Sequence, residues 1–253
     1  MDERLQKIIA QWGIASRRQA EQLILDGRVR LNHSVALLGQ KANPDTDYIE
    51  VDGKAIHPKG RPPFTYVLVN KPVQVVSTCQ DPWGRPTVLS LLPSSMRDRQ
   101  GLHPVGRLDA DSTGALLLTN DGSLTFRLTH PRHQIPKTYE VWVKGFPSHK
   151  TLNHWQRGVM LSGKLTLPAQ IRMLESSPTQ SLLEIVLVEG RNRQIRRVSE
   201  LLGHPVVSLH RVAIGSITLQ NLASGSYRLL TQPEIEYLSM HTAITPGFDY
   251  AKS

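Results

Sequence analysis

The amino-acid sequence predicts an α+β protein in which a large sheet domain follows a small N-terminal α/β domain. The chain has 253 residues, more than one typical domain needs. After residue 63, strand and helix patterns mix without the regular strand–helix–strand repeat of a parallel α/β fold. The stretch HPKGRPP, residues 57–63, can continue neither a helix nor a central strand, and it predicts a linker between the two parts.

The first part, residues 1–56, predicts two helices and a small sheet. Apolar side chains recur at helical spacing over residues 5–12, and a glycine ends this helix. Ser16 and Gln19 have the spacing of a capping box at the start of a second helix. Two alternating stretches, RVRLN and YIEVDG, then predict strands.

The second part, residues 64–240, predicts a sheet with occasional helices. Strands are expected at FTYVLVN, KTYEVWVKG and SLLEIVLVEG. A helix is expected at QIRRVSELLG, and another begins after Thr231. The first of these helices places four apolar residues on one side, Ile195, Val198, Leu201 and Leu202. Residues 241–253 predict a flexible tail.

The charge of the chain indicates a polyanionic partner. Thirty lysines and arginines outnumber 21 aspartates and glutamates, which gives a formal charge of +9. Residues 190–211 carry five arginines against one acid, Glu200, and such clustering favours a surface that faces phosphate. We therefore expect a nucleic acid as the partner.

Several other classes of protein are not expected. No apolar run approaches the ~20 residues that span a membrane, and MDERLQKIIA lacks the pattern of a secretory signal, so we expect a cytoplasmic protein without a membrane partner. Cys79 is the only cysteine, and the histidine pairs lack metal-ligand spacing, so we expect neither a disulfide nor a metal. No G-x-G-x-x-G loop occurs, and GVMLSGKL lacks the final hydroxyl of a phosphate-binding loop.

The stretch GRLDADSTGALLLTNDG, residues 106–122, concentrates aspartates around a short apolar run. Residues 115–118 predict a central strand, and Asp121 is placed to cap the helix that follows. Asp109 and Asp111 then lie on the loop before the strand. Local chemistry leaves two interpretations of this loop open, a turn cap or a catalytic carboxylate.

Two resemblances to known families extend this interpretation. The run RLQKIIAQWGIASRRQAEQLILDGRVRLN resembles the S-four RNA-binding domain, named after ribosomal small-subunit protein four. Residues 106–122, followed in order by HPRHQIPKTYEVWVKG and EGRNRQIRR, resemble the motifs of the RsuA/RluB family of bacterial ribosomal RNA pseudouridine synthases, with Ala115 in place of a leucine. The resemblance implies a mixed, largely antiparallel pseudouridine-synthase sheet with flanking helices and a small N-terminal RNA-binding domain.

The second resemblance also implies an activity and its residues. The family isomerises uridine in ribosomal RNA, a rearrangement that oxidises and consumes nothing, so no cofactor is expected. By resemblance, Asp109 is the catalytic aspartate, Tyr139 the active-site tyrosine and Arg196 the basic partner of the aspartate. The aspartate either attacks the sugar or abstracts a sugar proton, and the sequence leaves both routes open.

Further basic residues are expected to contact the RNA. Arg107 is placed to fill the stack that a flipped uridine vacates or to hold a phosphate. The other expected contacts are Lys71, Arg191, Arg193 and Arg197 in the second part and Lys7, Arg17, Arg18, Arg28 and Arg30 in the first. Solvated surface charge is the alternative for the N-terminal set.

The stretch NKPVQVVST departs from the family pattern N-K-P-x-G by placing Gln74 at the glycine, so we expect an ordinary backbone conformation and an altered turn there.

DPWGRPTV, residues 81–88, resembles the branch of the family that acts on the large subunit, so we expect large-subunit ribosomal RNA as the partner of a monomeric protein. Two alternatives stay open, a ribosome-assembly protein without catalysis and an RNA methyltransferase with the same N-terminal domain.

Overall fold

Separate hydrophobic cores lie before and after residues 57–63 in the computed structural model, which describes residues 2–97 and 101–241. The first core contains side chains between Leu5 and Ile56, and the core clusters of the second part lie between Tyr66 and Leu238. The domain boundaries stay a prediction, which this separation of cores supports.

The N-terminal part packs two helices against small antiparallel sheets. Its elements are β1 (Glu3–Arg4), α1 (Leu5–Gln11), α2 (Arg17–Leu25), β2 (Val29–Leu31), β3 (Ser34–Val35), β4 (Lys41–Ala42), β5 (Ile49–Val51) and β6 (Lys54–Ile56). Strands β3, β2, β5 and β6 form one sheet in that order, and β1 pairs with β4. The capping box is present, because the Ser16 hydroxyl accepts from the Gln19 backbone N–H and the Gln19 side chain accepts from the Ser16 N–H.

The second part contains most of the chain. Its strands are β7 (Tyr66–Lys71), β8 (His103–Pro104), β9 (Thr113–Thr119), β10 (Lys137–Lys144), β11 (Met160–Leu161), β12 (Lys164–Leu165), β13 (Gln170–Ser176), β14 (Gln180–Leu187), β15 (Val206–Ile214), β16 (Ile217–Thr218) and β17 (Tyr227–Leu229). Its helices are α3 (Ser94–Arg97), α4 (Gly122–Thr129), α5 (His149–Arg157), α6 (Gln194–Leu201) and α7 (Gln232–His241).

The large sheet is mixed and mostly antiparallel, which confirms the expected fold class. Its main strand order is β13-β14-β10-β15-β9-β7-β17, and β8 and β16 pair with β9 and β15. Within the described residues, the pairing of β9 with β15 is the parallel one in this sheet. Strand β9 lies inside the sheet, between β15 and β7, and its apolar run is buried on both faces.

The two faces of the sheet carry different helices. Leu116 and Leu118 of β9 belong to the cluster on one face, while Ala115 and Leu117 pack on the other. Helices α5 and α6 cover the first face at its β10 and β14 side, and α4 and α7 cover the second. As predicted, Asp121 caps α4, and its carboxylate accepts from the backbone N–H groups of the first turn.

The C-terminal ends of α6 and α7 differ from the expectation. Leu201 was predicted on the buried side of α6 but is 63% exposed, because it ends the helix at the edge of the apolar stripe that Ile195 and Val198 form. Helix α7 includes His241, and residues 242–253 of the predicted tail lie outside the described residues. Within the described ranges, the helices are too short or too polar to cross a membrane.

Candidate active site

Hydrogen bonds from a neighbouring segment fix the loop between β8 and β9. The Ser77 hydroxyl donates to the Leu108 carbonyl at 2.8 Å and accepts from the Leu108 N–H at 3.1 Å. The Gln74 N–H donates to the Ala110 carbonyl at 2.7 Å. These bonds flank Asp109 on both sides, so its half-exposed side chain projects from a constrained backbone.

A pocket of about 290 Å³ opens beside Asp109. Its walls are the loop around Asp109, Tyr139 of β10, Leu209 of β15, and the segment 187–196 that leads from β14 into α6. The volume is at the lower end of the range for small-ligand pockets, which suits a single small group rather than an extended ligand. The pocket therefore brings Asp109, Tyr139 and Arg196 together, as the resemblance implied.

The arginines around the pocket pair differently from the expectation. Arg193, rather than Arg196, lies within ion-pair distance of Asp109, with Nη1 at 3.4 Å from Oδ2. Arg196 instead donates to the Asp111 carbonyl at 2.8 Å and to the Ser112 hydroxyl at 3.2 Å. Arg193 immediately precedes α6 and Arg196 lies in its first turn, so both arginines meet the loop from the N-terminal end of this helix.

Asp111 is the shared partner of these two arginines. Its carboxylate accepts two hydrogen bonds from Arg193, at 3.1 and 2.9 Å, and one oxygen lies 3.4 Å from Arg196 Nε. The hydrogen bond from Arg193 lowers the pKa of Asp111 most strongly, and the Arg196 charge lowers it further. Asp111 therefore belongs to the site, because it binds Arg193 and Arg196, which line the pocket beside Asp109.

Tyr139 lies at the centre of the sheet, between β14 and β15. The guanidinium of the buried Arg211 lies 5.9 Å from the centre of the Tyr139 ring, within the range of a cation–π contact. The Arg211 Nε–H donates to the Ala115 carbonyl at 2.6 Å, which ties the side chain to the neighbouring strand β9. Tyr139 thus lines the pocket and lies within cation–π distance of a buried guanidinium.

Comparison with known proteins identifies the family of this fold and pocket. A model described as RNA pseudouridylate synthase matches residues 65–201, and a model of the S4 domain matches residues 3–46. The chain belongs to the RNA pseudouridylate synthase family. It is accordingly an isomerase that acts on uridine in RNA, with an N-terminal S4 RNA-binding domain.

Relatives match over nearly the whole length of this pseudouridine synthase. A ribosomal large subunit pseudouridine synthase B of Bacillus subtilis is 41% identical over 93% of this chain and 95% of its own length. An uncharacterized RNA pseudouridine synthase of Aquifex aeolicus is 40% identical, over 94% of each chain. A crystal structure of a pseudouridylate synthase is 32% identical, with a TM-score of 0.67, and covers 93% of this chain and 99% of its own.

Lys71 is buried, whereas the sequence analysis expected it on a surface that contacts RNA. Its side chain is fully buried, and its ammonium donates to the backbone carbonyls of Pro72 at 2.8 Å and Val75 at 2.7 Å. Burial lowers the Lys71 pKa to about 8, although the charges of Asp111 and Asp109 oppose this shift. Lys71 is the last residue of β7, and its buried ammonium holds the turn that follows through the two hydrogen bonds to Pro72 and Val75.

The turn at Gln74 keeps the geometry of a glycine. Gln74 has a φ of +64°, in the left-handed region, where an ordinary conformation was expected. The bond from its N–H to the Ala110 carbonyl and the Lys71 bond to Val75 hold this conformation. The departure from the family pattern therefore leaves the turn in place at the cost of local strain.

The remaining predicted arginines divide into two groups. Arg107 is exposed at the rim of the pocket, where it can meet RNA. Arg191 instead donates to the carbonyls of Lys164 and Leu165 and pairs with Glu189 at 3.0 Å. Arg197 similarly donates to the Ser162 hydroxyl at 2.7 Å. The observed contacts of these last two arginines therefore join the segment around α6 to the β11–β12 hairpin.

The basic residues of the S4 domain also differ in their contacts. Arg17 and Arg18 are exposed in the first turn of α2. Lys7 forms an ion pair with Glu3. Arg28 forms a bidentate ion pair with Asp52. The Arg30 guanidinium donates a hydrogen bond to the His33 carbonyl at 3.2 Å. Arg17 and Arg18 are therefore the stronger candidates for phosphate contacts among these five.

Three site residues were missed by the sequence analysis, Ser77, Asp111 and Arg211. Arg211 alternates with the apolar residues Leu209 and Ala213 along β15, on the buried face of the strand. A charged residue at such a position needs a bonding partner, and this pattern could have identified it. Asp111 was assigned no role in the site. Its pairing with Arg193 arises from contact between elements 82 residues apart and leaves no local pattern.

Proposed function

We propose that this RNA pseudouridine synthase isomerises a uridine of large-subunit ribosomal RNA and that Asp109 acts on the sugar of that uridine. The observation that carries this proposal is the Asp109 carboxylate in the wall of the pocket with Arg193 at 3.4 Å. The relatives named ribosomal large subunit pseudouridine synthase B, from Bacillus subtilis and Pseudomonas aeruginosa, support the choice of RNA.

The reaction requires an ionised carboxylate. The bond between ribose C1′ and uracil N1 breaks, and a bond between C1′ and C5 forms. The C5 proton leaves and N1 gains one, so no oxidant or reductant is needed. Asp109 would either attack C1′ or remove a sugar proton, and in both routes Arg193 would stabilise its negative charge and its orientation.

The uridine must leave its stack before Asp109 can reach the sugar. Flipping a base costs a few kcal/mol, which binding elsewhere on the RNA must offset. Tyr139 offers its ring for stacking on the uracil, and its hydroxyl is the candidate for proton transfer at C5. Arg107, exposed at the rim, would fill the vacated stack or hold an adjacent phosphate.

Mapping of pseudouridine in ribosomal RNA tests this proposal. Purified protein is incubated separately with deproteinised large-subunit and small-subunit ribosomal RNA, and new pseudouridines are located by sequencing. We expect modification at one or a few defined positions of the large-subunit RNA. Modification confined to small-subunit RNA or to another class of RNA would overturn the choice of substrate while leaving the assigned chemistry intact.

A further inference from the structure

Trp83 is the most exposed large hydrophobic side chain among the described residues, at 77%. One exposed apolar side chain is ordinary on a protein surface. The surroundings of Trp83 are less ordinary. Hydrogen bonds hold closed the turn that carries it, residues 81–87, and we call this segment the clamped turn.

Asp81 forms the clamp. Its carboxylate accepts from the backbone N–H groups of Trp83 at 3.1 Å and Arg85 at 3.0 Å, and it binds the Arg85 guanidinium through two further bonds of 3.1 and 2.7 Å. These bonds, led by the one from Arg85, lower the Asp81 pKa to about 2. The carboxylate therefore stays charged at neutral pH and keeps the turn closed.

Arg85 also occupies one side of the indole. Its guanidinium carbon lies 4.9 Å from the centre of the Trp83 ring, which is cation–π distance. The large exposed fraction leaves the rest of the ring available to solvent. A flat aromatic surface that is backed by a cation and held by a rigid turn needs little ordering when a planar ligand stacks on it.

The clamped turn stands next to the active-site loop. Val76 pairs with Thr87 at the base of the turn, and Ser77 is bonded to Leu108, the neighbour of Asp109. Trp83 is four residues from Thr87, so their Cα atoms are at most roughly 14 Å apart. The turn that carries the indole is thus joined, through Val76 and Ser77, to the loop that holds Asp109.

We propose that Trp83 is a stacking platform for an unpaired RNA base that neighbours the target uridine. Every base has a flat π face, so stacking serves an RNA whose loop is already open around the target. The Arg85 charge is matched by Asp81, so this contact would add affinity with little change in the number of displaced counterions. The inference rests on the proposed function only for the identity of the RNA.

The test compares three variants with the wild type on deproteinised large-subunit ribosomal RNA. Trp83→Ala removes the ring, Trp83→Phe keeps a smaller one, and Phe146→Ala removes another exposed aromatic, beyond the end of β10 opposite Tyr139. Dissociation constants are measured at low and moderate salt, together with tryptophan emission during the titration. The single-turnover rate of pseudouridine formation is measured at saturating RNA.

Trp83→Ala should weaken binding roughly 5- to 150-fold, the range for one stacked base, by a similar factor at both salt concentrations. Trp83→Phe should retain most of the affinity, Phe146→Ala all of it, and the rate at saturating RNA should stay unchanged. RNA should quench wild-type emission more than that of Trp83→Phe. Affinity of Trp83→Ala within twofold of wild type, equal losses in the Ala and Phe variants, or equal quenching would overturn the proposal. An inactive wild type that still shows the quenching difference would overturn only the choice of substrate.

Discussion

The guanidinium of Arg193 bridges two carboxylates of the active-site loop, with hydrogen bonds of 2.9 and 3.1 Å to Asp111 and an ion pair of 3.4 Å to Asp109. Two aligned hydrogen bonds to Asp111 hold it more firmly than the longer contact with Asp109. Asp111 therefore sets the position from which Arg193 meets Asp109, and it acts as a positioning residue.

Asp111→Asn should slow pseudouridine formation without abolishing it. The amide can accept only one of the two bonds from Arg193, and a small displacement near reacting atoms costs up to about a hundredfold in rate. We expect a ten- to hundredfold lower single-turnover rate at saturating RNA. Asp45→Asn, the same charge change on the exposed surface of the S4 domain, is the control. A rate equal to that of this control would show that Arg193 needs no help from Asp111.

Gly114→Ala should destabilise the catalytic domain. Gly114 has a φ of +108°, and a Cβ atom there would collide with the backbone of Arg211 on the paired strand β15. Strain and overpacking together predict a loss of about 2–4 kcal/mol in the free energy of unfolding, measured by urea denaturation. Gly190→Ala is the control, because a Cβ atom added at Gly190 would meet nothing within 4 Å and its φ is not in the left-handed region. Equal stability of the two variants would contradict this packing.

The buried Lys71 should make stability depend on pH. Its pKa is about 8 in the folded protein, below its usual 10.5, so between these values the unfolded chain binds a proton that the folded chain lacks. The free energy of unfolding contributed by Lys71 should therefore rise from pH 8 to pH 10.5, by up to roughly 3 kcal/mol. Urea denaturation of wild type and Lys71→Met across this range measures the difference, in which the contribution of Lys137, whose pKa is also lowered to about 8, cancels. A difference that is constant with pH would contradict the assignment.

Arg17 and Arg18 should contribute phosphate contacts. Replacing both with glutamine should weaken RNA binding and reduce the slope of log affinity against log salt by about one to two, because fewer counterions are displaced. Arg28→Gln is the comparison, since the Arg28 guanidinium is already paired with Asp52. An unchanged salt slope in the double variant would remove these residues from the interface.

Elements with a local cause were predictable from the sequence. The capping box of Ser16 and Gln19 and the cap by Asp121 depend on side chains within three residues of the backbone they bind. Strand β9 was predictable because burial on both faces requires an unbroken apolar run. The fold class followed from the same patterns together with the family motifs.

Features set by contacts distant in sequence were not predictable. The pairing of Arg193 with Asp109 depends on how α6 approaches the loop, whereas the family resemblance implied Arg196 as the partner. Lys71 was expected to contact RNA because its burial depends on the position of β7 inside the sheet, between β9 and β17. Gln74 shows that tertiary hydrogen bonds can hold a residue in a backbone conformation that its own preference disfavours.

The most direct test of the central claim is the rate of pseudouridine formation by Asp109→Asn on large-subunit ribosomal RNA. The substitution keeps the volume of the side chain and removes the charge and the reactive oxygen. Asp45→Asn is the matched control, because Asp111 contacts both pocket arginines and cannot serve as one. We predict no detectable pseudouridine with Asp109→Asn, RNA affinity within a few fold of wild type, and full activity of the control. Retained activity of Asp109→Asn would contradict the account, and lost affinity would make Asp109 a structural anchor of Arg193 instead.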